Sequence, residues 1–261
     1  MAYQTIEVRC EAHITYLTLN RPQVMNAIDQ TMHDELQAAF DSFAADDDQH
    51  LAVVRGAGSR AFCAGSDLKS IAARGAPHVY PRHGYAGLIQ RFDLDKPLIA
   101  VVDGVAVGGG FELALACDLI IATPRSRFGL PEPLVGAMAL GGGVHRLARQ
   151  IGLKRAMGLI LTGDLVDGRT AMDLGFVTAL VEPEALDEEV AGWCQRILRG
   201  APLALRASKQ SVMRGLDEPG LEAALRAQEE YPAYVRWYAS EDRHEGALAF
   251  AEKRPPRWQG R

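Results

Sequence analysis

The chain has 261 residues, 48% of them apolar and 23% charged, with a formal net charge of −5. That length holds one large core, or a core with a helical appendage, and the acidic balance excludes a general nucleic-acid binder, which carries a basic surplus. No apolar run reaches the length of a membrane span, and the N-terminal stretch lacks the basic and apolar regions of a signal peptide. Cys10, Cys63, Cys117 and Cys194 are scattered without a C-x-x-C pair, which fits a reduced cytoplasm better than a disulfide framework or a zinc site.

Residues 3–9 and 14–20 alternate as a strand pair, with a turn near Glu11-Ala12. Asp29 is placed to cap a helix whose apolar face is Ile28, Met32, Leu36, Ala39, Phe40 and Phe43. After the acidic Asp46-Asp47-Asp48, the run Leu51-Ala52-Val53-Val54 reads as a buried strand and leads into the Gly-rich stretch of residues 60–69. Residues 70–87, with Gly75-Ala76-Pro77-His78 and Pro81-Arg82-His83-Gly84, read as a mobile excursion of the kind that covers binding sites. A second strand, Leu98-Ile99-Ala100-Val101-Val102, runs into a second Gly-rich stretch, residues 103–113. A short, nearly all-apolar helix over 113–117 implies burial on every side, and Leu119-Ile120-Ile121-Ala122 is a further strand. From about 184 only helices are expected: 184–199, 202–214, one beginning at Leu221, Ala224, Leu225 and Gln228, and one over 242–253. The chain therefore divides into a core domain, 1–183, and a C-terminal helical region, 184–261, with no linker between them.

A strand that stops in glycines and turns into a helix leaves backbone N–H groups unpaired and pointing outward. One such turn binds an anion, and two that face each other grip a single oxygen on which charge develops. For either turn alone, the need for a tight bend explains the glycines equally well. Gly104 and Gly108-Gly109-Gly110 lack G-x-G-x-x-G spacing, so a dinucleotide fold is rejected.

Ala61-Phe62-Cys63-Ala64-Gly65-Ser66-Asp67-Leu68-Lys69 and Gly108-Gly109-Gly110-Phe111-Glu112-Leu113 resemble motifs of the enoyl-CoA hydratase/isomerase (crotonase) superfamily. So do Phe128-Gly129-Leu130-Pro131-Glu132 and Phe250-Ala251-Glu252-Lys253-Arg254, and the similarity covers nearly the whole chain. Within the superfamily the chain looks most like enoyl-CoA hydratases and carnitinyl-CoA dehydratases. The resemblance implies an α/β fold, a crotonase-like superhelical core of stacked β-β-α turns with a C-terminal helical trimerisation region, assembled as a homotrimer or a dimer of trimers. It implies an acyl-CoA thioester as substrate and no cofactor, metal, nucleic acid or membrane as partner.

By the same resemblance, the N–H groups of Ser66 and Gly109 form an oxyanion hole for the thioester carbonyl. The backbone from Ala64 through Asp67 to Leu68 contacts the CoA adenine, and Lys253 approaches the CoA phosphates. Ser66 lacks a G-x-S-x-G setting and is no nucleophile. Glu112 opens a helix amid apolar neighbours, where a carboxylate is costly without a partner or a task. Glu132 sits beside prolines, a setting usual for a solvated turn. The resemblance makes these two the hydratase glutamates, and two nearby carboxylates raise one another's pKa.

After Glu132 the family commonly runs Gly-x-x-Pro-x-x-Gly-Gly. Here Ala139 replaces the proline and Leu140 stands where glycine or an acid is usual. By the resemblance, that loop lines the place of the catalytic water, so Leu140 narrows the acyl pocket, displaces the water, or points elsewhere, into the core. Asp118 reads as a structural cap, His145 as packing or surface, and the seven histidines show no metal-ligand spacing. The leading expectation is a cytoplasmic enoyl-CoA hydratase-type hydro-lyase acting on a trans-2-enoyl-CoA. Its rivals are a carnitinyl-CoA dehydratase, supported by Phe92-Asp93-Leu94-Asp95-Lys96-Pro97 and Ser240-Glu241-Asp242, a Δ3-Δ2-enoyl-CoA isomerase, and a catalytically silent acyl-CoA-binding scaffold.

Overall fold

The computed structural model describes residues 3–76 and 78–261, so Pro77 of the expected excursion lies outside the described residues. The chain opens with β1 (Ile6–Glu11) and β2 (Ile14–Leu19), an antiparallel hairpin turning at Ala12 and His13, both at positive φ. Then comes α1 (Gln30–Ala45), with the Asp29 carboxylate accepting the Met32 N–H at 2.9 Å as its cap. The expected apolar face is buried: Ile28, Met32, Leu36, Ala39, Phe40 and Phe43 are all within the core.

Three units of two strands each follow, the first two ending in a helix. They are β3 (Leu51–Gly56), β4 (Ala61–Cys63) and α2 (Leu68–Arg74); β5 (Leu98–Val102), β6 (Val105–Val107) and α3 (Gly109–Leu115); and β7 (Leu119–Ala122) with β8 (Arg127–Gly129). Beyond them lie α4 (Gly143–Ile151), α5 (Leu153–Thr162), the short β9 (Val166–Asp167), α6 (Gly168–Leu174) and β10 (Ala179–Leu180). The strands form two sheets, because each unit gives one strand to each. Six strands run in the order β1-β2-β3-β5-β7-β10, parallel from β2 onward, and four run β4-β6-β8-β9. In the smaller sheet β4, β6 and β8 are parallel neighbours, with Cys63 paired to Ala106 and Ala106 to Phe128. β3, β5 and β7 read as continuous apolar runs because they are buried in the larger sheet.

Several expectations change. The helix at the second Gly-rich stretch begins at Gly109, four residues before 113, because the glycines themselves form its first turn. The 70–87 stretch is only partly an excursion, with irregular backbone between two ordered ends. Its first residues belong to α2, and Gln30 holds Val79 through both the N–H and the C=O of that residue at 2.9 Å. Tyr85, Ala86 and Gly87 are buried in a 3-10 turn, and Gly87 lies so close to Gln37 of α1 that no side chain fits there.

Two compact units emerge: residues through Arg91 with Leu98–Ala191, and Phe92–Pro97 with Gly192–Arg261. Both sheets belong to the first. Helix α7 (Leu186–Leu198) runs from the first into the second, which also holds α8 (Pro202–Gly215), α9 (Leu221–Ala227), α10 (Pro232–Tyr238) and α11 (Asp242–Ala251). In the second unit Arg206 pairs with Asp95 at 2.7 Å and Lys209 donates to the Lys96 carbonyl at 2.8 Å. Asp242 there accepts the N–H groups of Gln259 and Gly260, both at 2.8 Å. α10 was not expected from the sequence. Among the described residues no helix is long and apolar enough to cross a membrane.

Candidate active site

Three neighbouring parallel strands end side by side and release the candidate residues at one edge. β4 ends at Cys63 and gives Gly65-Ser66. β6 ends at Val107 and gives Gly108-Gly109. β8 ends at Gly129 and gives Leu130, Pro131 and Glu132. This is the edge at which parallel sheets gather ligand-binding groups.

The two glycine turns face each other. Gly65 has φ +84°, and a β-carbon there would lie 3.0 Å from the Val107 oxygen and 3.1 Å from the Gly109 nitrogen. Only glycine meets both demands, the left-handed φ and the close approach. The Gly65 N–H is taken by the Cys63 sulfur at 3.4 Å, and burial pushes that thiol up to about 12. Either side of Ser66 the chain is pinned to Ile28, which donates to the Gly65 carbonyl at 2.8 Å and accepts the Asp67 N–H at 2.9 Å. In a parallel bridge the residue between two pinned neighbours directs its own N–H away. The Ser66 and Gly109 N–H groups donate to no group among the described residues. Gly109 owes this to its place in the first turn of α3.

Glu112 lies on that same first turn and is 3% exposed. Gly143 donates its N–H to Glu112 Oε1 at 2.8 Å, and the Gly141 amide also bonds the carboxylate. Burial pushes Glu112 up to about 7; the two amides and Arg146 pull it down, and Glu132 adds a further upward push. Glu132 is likewise raised by burial. Its Oε2 is buried with no partner among the described residues, and its Oε1 stands 3.2 Å from where a β-carbon on Gly108 would be. The surroundings thus differ from the solvated turn that the flanking prolines suggest. Two carboxylic acids with raised pKa, within electrostatic reach of each other and beside two unpaired N–H groups, can take and give protons around a polarised carbonyl.

The other expected residues scatter in role. The Ala64 N–H is spent on the Met25 carbonyl at 3.0 Å. Asp67 caps α2 through Ser70 and pairs with Arg21 at 3.0 Å; burial alone would raise its pKa, but the Ser70 amide and Arg21 hold it below the usual range. Leu68, the first residue of α2, is exposed, as is Leu140 at 68%. Ala139 takes the buried position beside it, which settles that Leu140 does not point into the core. Lys253 follows α11, exposed and at positive φ, in the second compact unit. Asp118 accepts the Leu98 N–H at 2.7 Å and fixes the start of β5, a structural role.

The Enoyl-CoA hydratase/isomerase family model matches residues 9–261. An (E)-benzylidenesuccinyl-CoA hydratase of Thauera aromatica is 37% identical over 261 residues, 98% of each chain. A carnitinyl-CoA dehydratase of Citrobacter koseri is 39% identical over 254 residues, 95% of each chain. The crystal structure of an enoyl-CoA hydratase from Mycobacterium marinum superposes with a TM-score of 0.91 at 39% identity, covering 98% of this chain and 99% of that one. The chain belongs to the enoyl-CoA hydratase/isomerase family. Its fold is the crotonase fold, and the motifs quoted from the sequence lie in the matched region.

Within this family member, sequence reasoning missed four contributors. Gly141 and Gly143 cradle Glu112, and the triple glycine was the available signal. Arg146 lies within electrostatic reach of the same glutamate. Tyr85, buried at 2%, touches both glycine turns. Nothing in its local sequence announced that.

Proposed function

We propose that the chain is an enoyl-CoA hydratase that adds water syn across the double bond of a trans-2-enoyl-CoA, giving the 3-hydroxyacyl-CoA. The observation that carries the reading is the pair of raised-pKa carboxyls, Glu112 and Glu132, beside the unpaired N–H groups of Ser66 and Gly109. Those N–H groups hold the thioester oxygen and polarise the conjugated double bond. Glu112 takes a proton from water as its oxygen bonds to the β-carbon, and the electron pair of the double bond moves into the thioester enolate. Glu132, protonated, gives the α-carbon its proton. The two carboxyls titrate as a coupled pair, so one charged and one neutral member at neutral pH is a property of the pair. This chemistry calls for no cofactor.

Ala64, Asp67 and Leu68 keep their assignment to the CoA end through backbone carbonyls and the exposed Leu68, since the Ala64 and Asp67 N–H groups are engaged internally. Lys253 is assigned to the CoA phosphates on the family pattern. The reading includes a cytoplasmic homotrimer or dimer of trimers. Supporting assembly, α5 exposes Leu153, Met157 and Leu161 along one face.

Carnitinyl-CoA dehydration is the second reading, favoured by relatives of that name at 37–39% identity. Leu140 in place of an acid and the Arg146 cation near Glu112 both disfavour a trimethylammonium head group. A product-identified assay on crotonyl-, long 2-enoyl-, 3-enoyl- and crotonobetainyl-CoA tests these readings. Water addition to plain 2-enoyl thioesters supports the proposal, and exclusive double-bond migration or no turnover refutes it.

A further inference from the structure

The phenol of Tyr85 ends between the two glycine turns. Ser66 donates its side-chain hydroxyl to Tyr85 Oη at 3.3 Å. On the other side, a β-carbon on Gly109 would overlap the Tyr85 ring at Cζ and Oη, so the ring packs directly on the Gly109 backbone. The ring is itself held from behind. His33 meets it edge-on at 4.7 Å between centroids, and Tyr80 does so at 5.6 Å. The His33 Nδ1 accepts the N–H of Ala86, the residue next to Tyr85, at 3.0 Å, which fixes the local backbone. Burial keeps the phenol protonated and neutral at any physiological pH.

We propose that Tyr85 is a positioning residue for the oxyanion site: it spans the Ser66 and Gly109 turns and fixes the separation of their two N–H groups, a role that rests on the hydratase reading above. The physical reason is that the two donors are held by different neighbours. The chain on either side of Ser66 is pinned to Ile28, whereas Gly109 is held by the first turn of α3 and has no side chain to lock its orientation. A rigid ring touching both converts two independent donors into one preorganised pair, and misplacement of such groups by about 1 Å costs on the order of 10²-fold in rate.

Three variants test this: Tyr85→Phe keeps the ring and loses the acceptor for Ser66, Tyr85→Leu loses the ring, and Ser66→Ala loses the donor. Two readouts accompany steady-state hydration: affinity for the saturated ester butyryl-CoA, and the near-ultraviolet enolate band of bound acetoacetyl-CoA, which reports the oxyanion site without any hydration step. Tyr85→Phe and Ser66→Ala should each lower kcat by about 2–10-fold. The double variant should lose no more than either, since both remove one contact. Tyr85→Leu should lose on the order of 10²-fold. The enolate band should weaken in the same order, with butyryl-CoA affinity held within about twofold of the parent, as expected for a loss felt only by the charged species.

A folded Tyr85→Leu variant with unchanged kcat and enolate band overturns the proposal. So does a loss of butyryl-CoA binding that parallels the loss of rate, or additive effects of Tyr85→Phe and Ser66→Ala. If the leucine variant does not fold, the Phe and Ala pair decides alone. Glu112→Gln separates the two ideas, because it should abolish hydration and keep the enolate band. If the parent hydrates nothing, the hydratase reading fails and Tyr85 is judged on the band.

Discussion

Gly143 donates its amide to Glu112 Oε1 at 2.8 Å, and its own Cα approaches so closely that an added β-carbon would sit 2.9 Å from Glu112 Cγ. At Gly141 an added β-carbon would overlap the carboxylate oxygen itself. The loop therefore holds Glu112 by contact as well as by hydrogen bonds. Gly141→Ala should displace the carboxylate and lower kcat by on the order of 10–10²-fold, since overpacking forces a shift in one of the two partners. Steady-state kinetics on a variant shown to be folded would check it, and parent-like kcat would mean the cradle yields without consequence.

Glu112→Gln and Glu132→Gln should each remove about 10²–10⁴-fold of the hydration rate, because each loses a proton-transfer role while pocket shape is kept. Binding of a saturated acyl-CoA should remain near the parent value. A hydration rate at the parent level in either variant would end the two-carboxylate mechanism.

The raised pKa of Glu112 also has a stability signature. In the folded chain the group titrates at about 7, against 4.5 ordinarily. Between those values the folded state binds more protons than the unfolded one, so stability falls as pH rises through the window. Below 4.5 the penalty is absent, and above 7 it is complete, on the order of a few kcal/mol. Glu112→Gln removes it. The Tm of that variant relative to the parent should therefore rise from pH 5 to pH 8, and a difference that stays flat or falls contradicts the burial-driven shift.

The Asp67 side chain caps α2 and pairs with Arg21, which also approaches Asp29 at 3.2 Å. Asp67→Ala should cost about 1–2 kcal/mol in stability through the lost cap alone. Denaturant unfolding measures this. A change below about 0.3 kcal/mol would show that Arg21 and the helix compensate fully.

Leu140 is exposed beside the Glu112 cradle, so its removal should barely disturb packing. Leu140→Gly should shift the ranking of enoyl-CoA substrates towards bulkier acyl groups by about 1–3 kcal/mol in kcat/KM, without new chemistry. Relative kcat/KM over a chain-length and branching panel is the measurement. An unchanged ranking would mean the side chain lies outside the acyl path.

Local pattern alone determined a good part of this protein. The β1-β2 hairpin, the capped α1, the buried runs of β3, β5 and β7, and the four blocks that carry the family resemblance were all legible. Periodicity and capping act over a few residues, and a resemblance reads motifs in order. The short strands β4, β6 and β8 were invisible, because three residues between turns carry no period and gain their pairing only from neighbours far along the chain. Those strands decide the site. Side by side they bring Gly65-Ser66, Gly109 and Glu132 to one edge from positions spread over residues 65–132 of the sequence. The raised pKa values of Glu112 and Glu132 likewise depend on burial created by that assembly. Tyr85 is the clearest case. Its sequence neighbours say only that a loop ends there, and its contact with both turns exists because α1, through His33 and Gln37, holds the 85–87 turn inside the core.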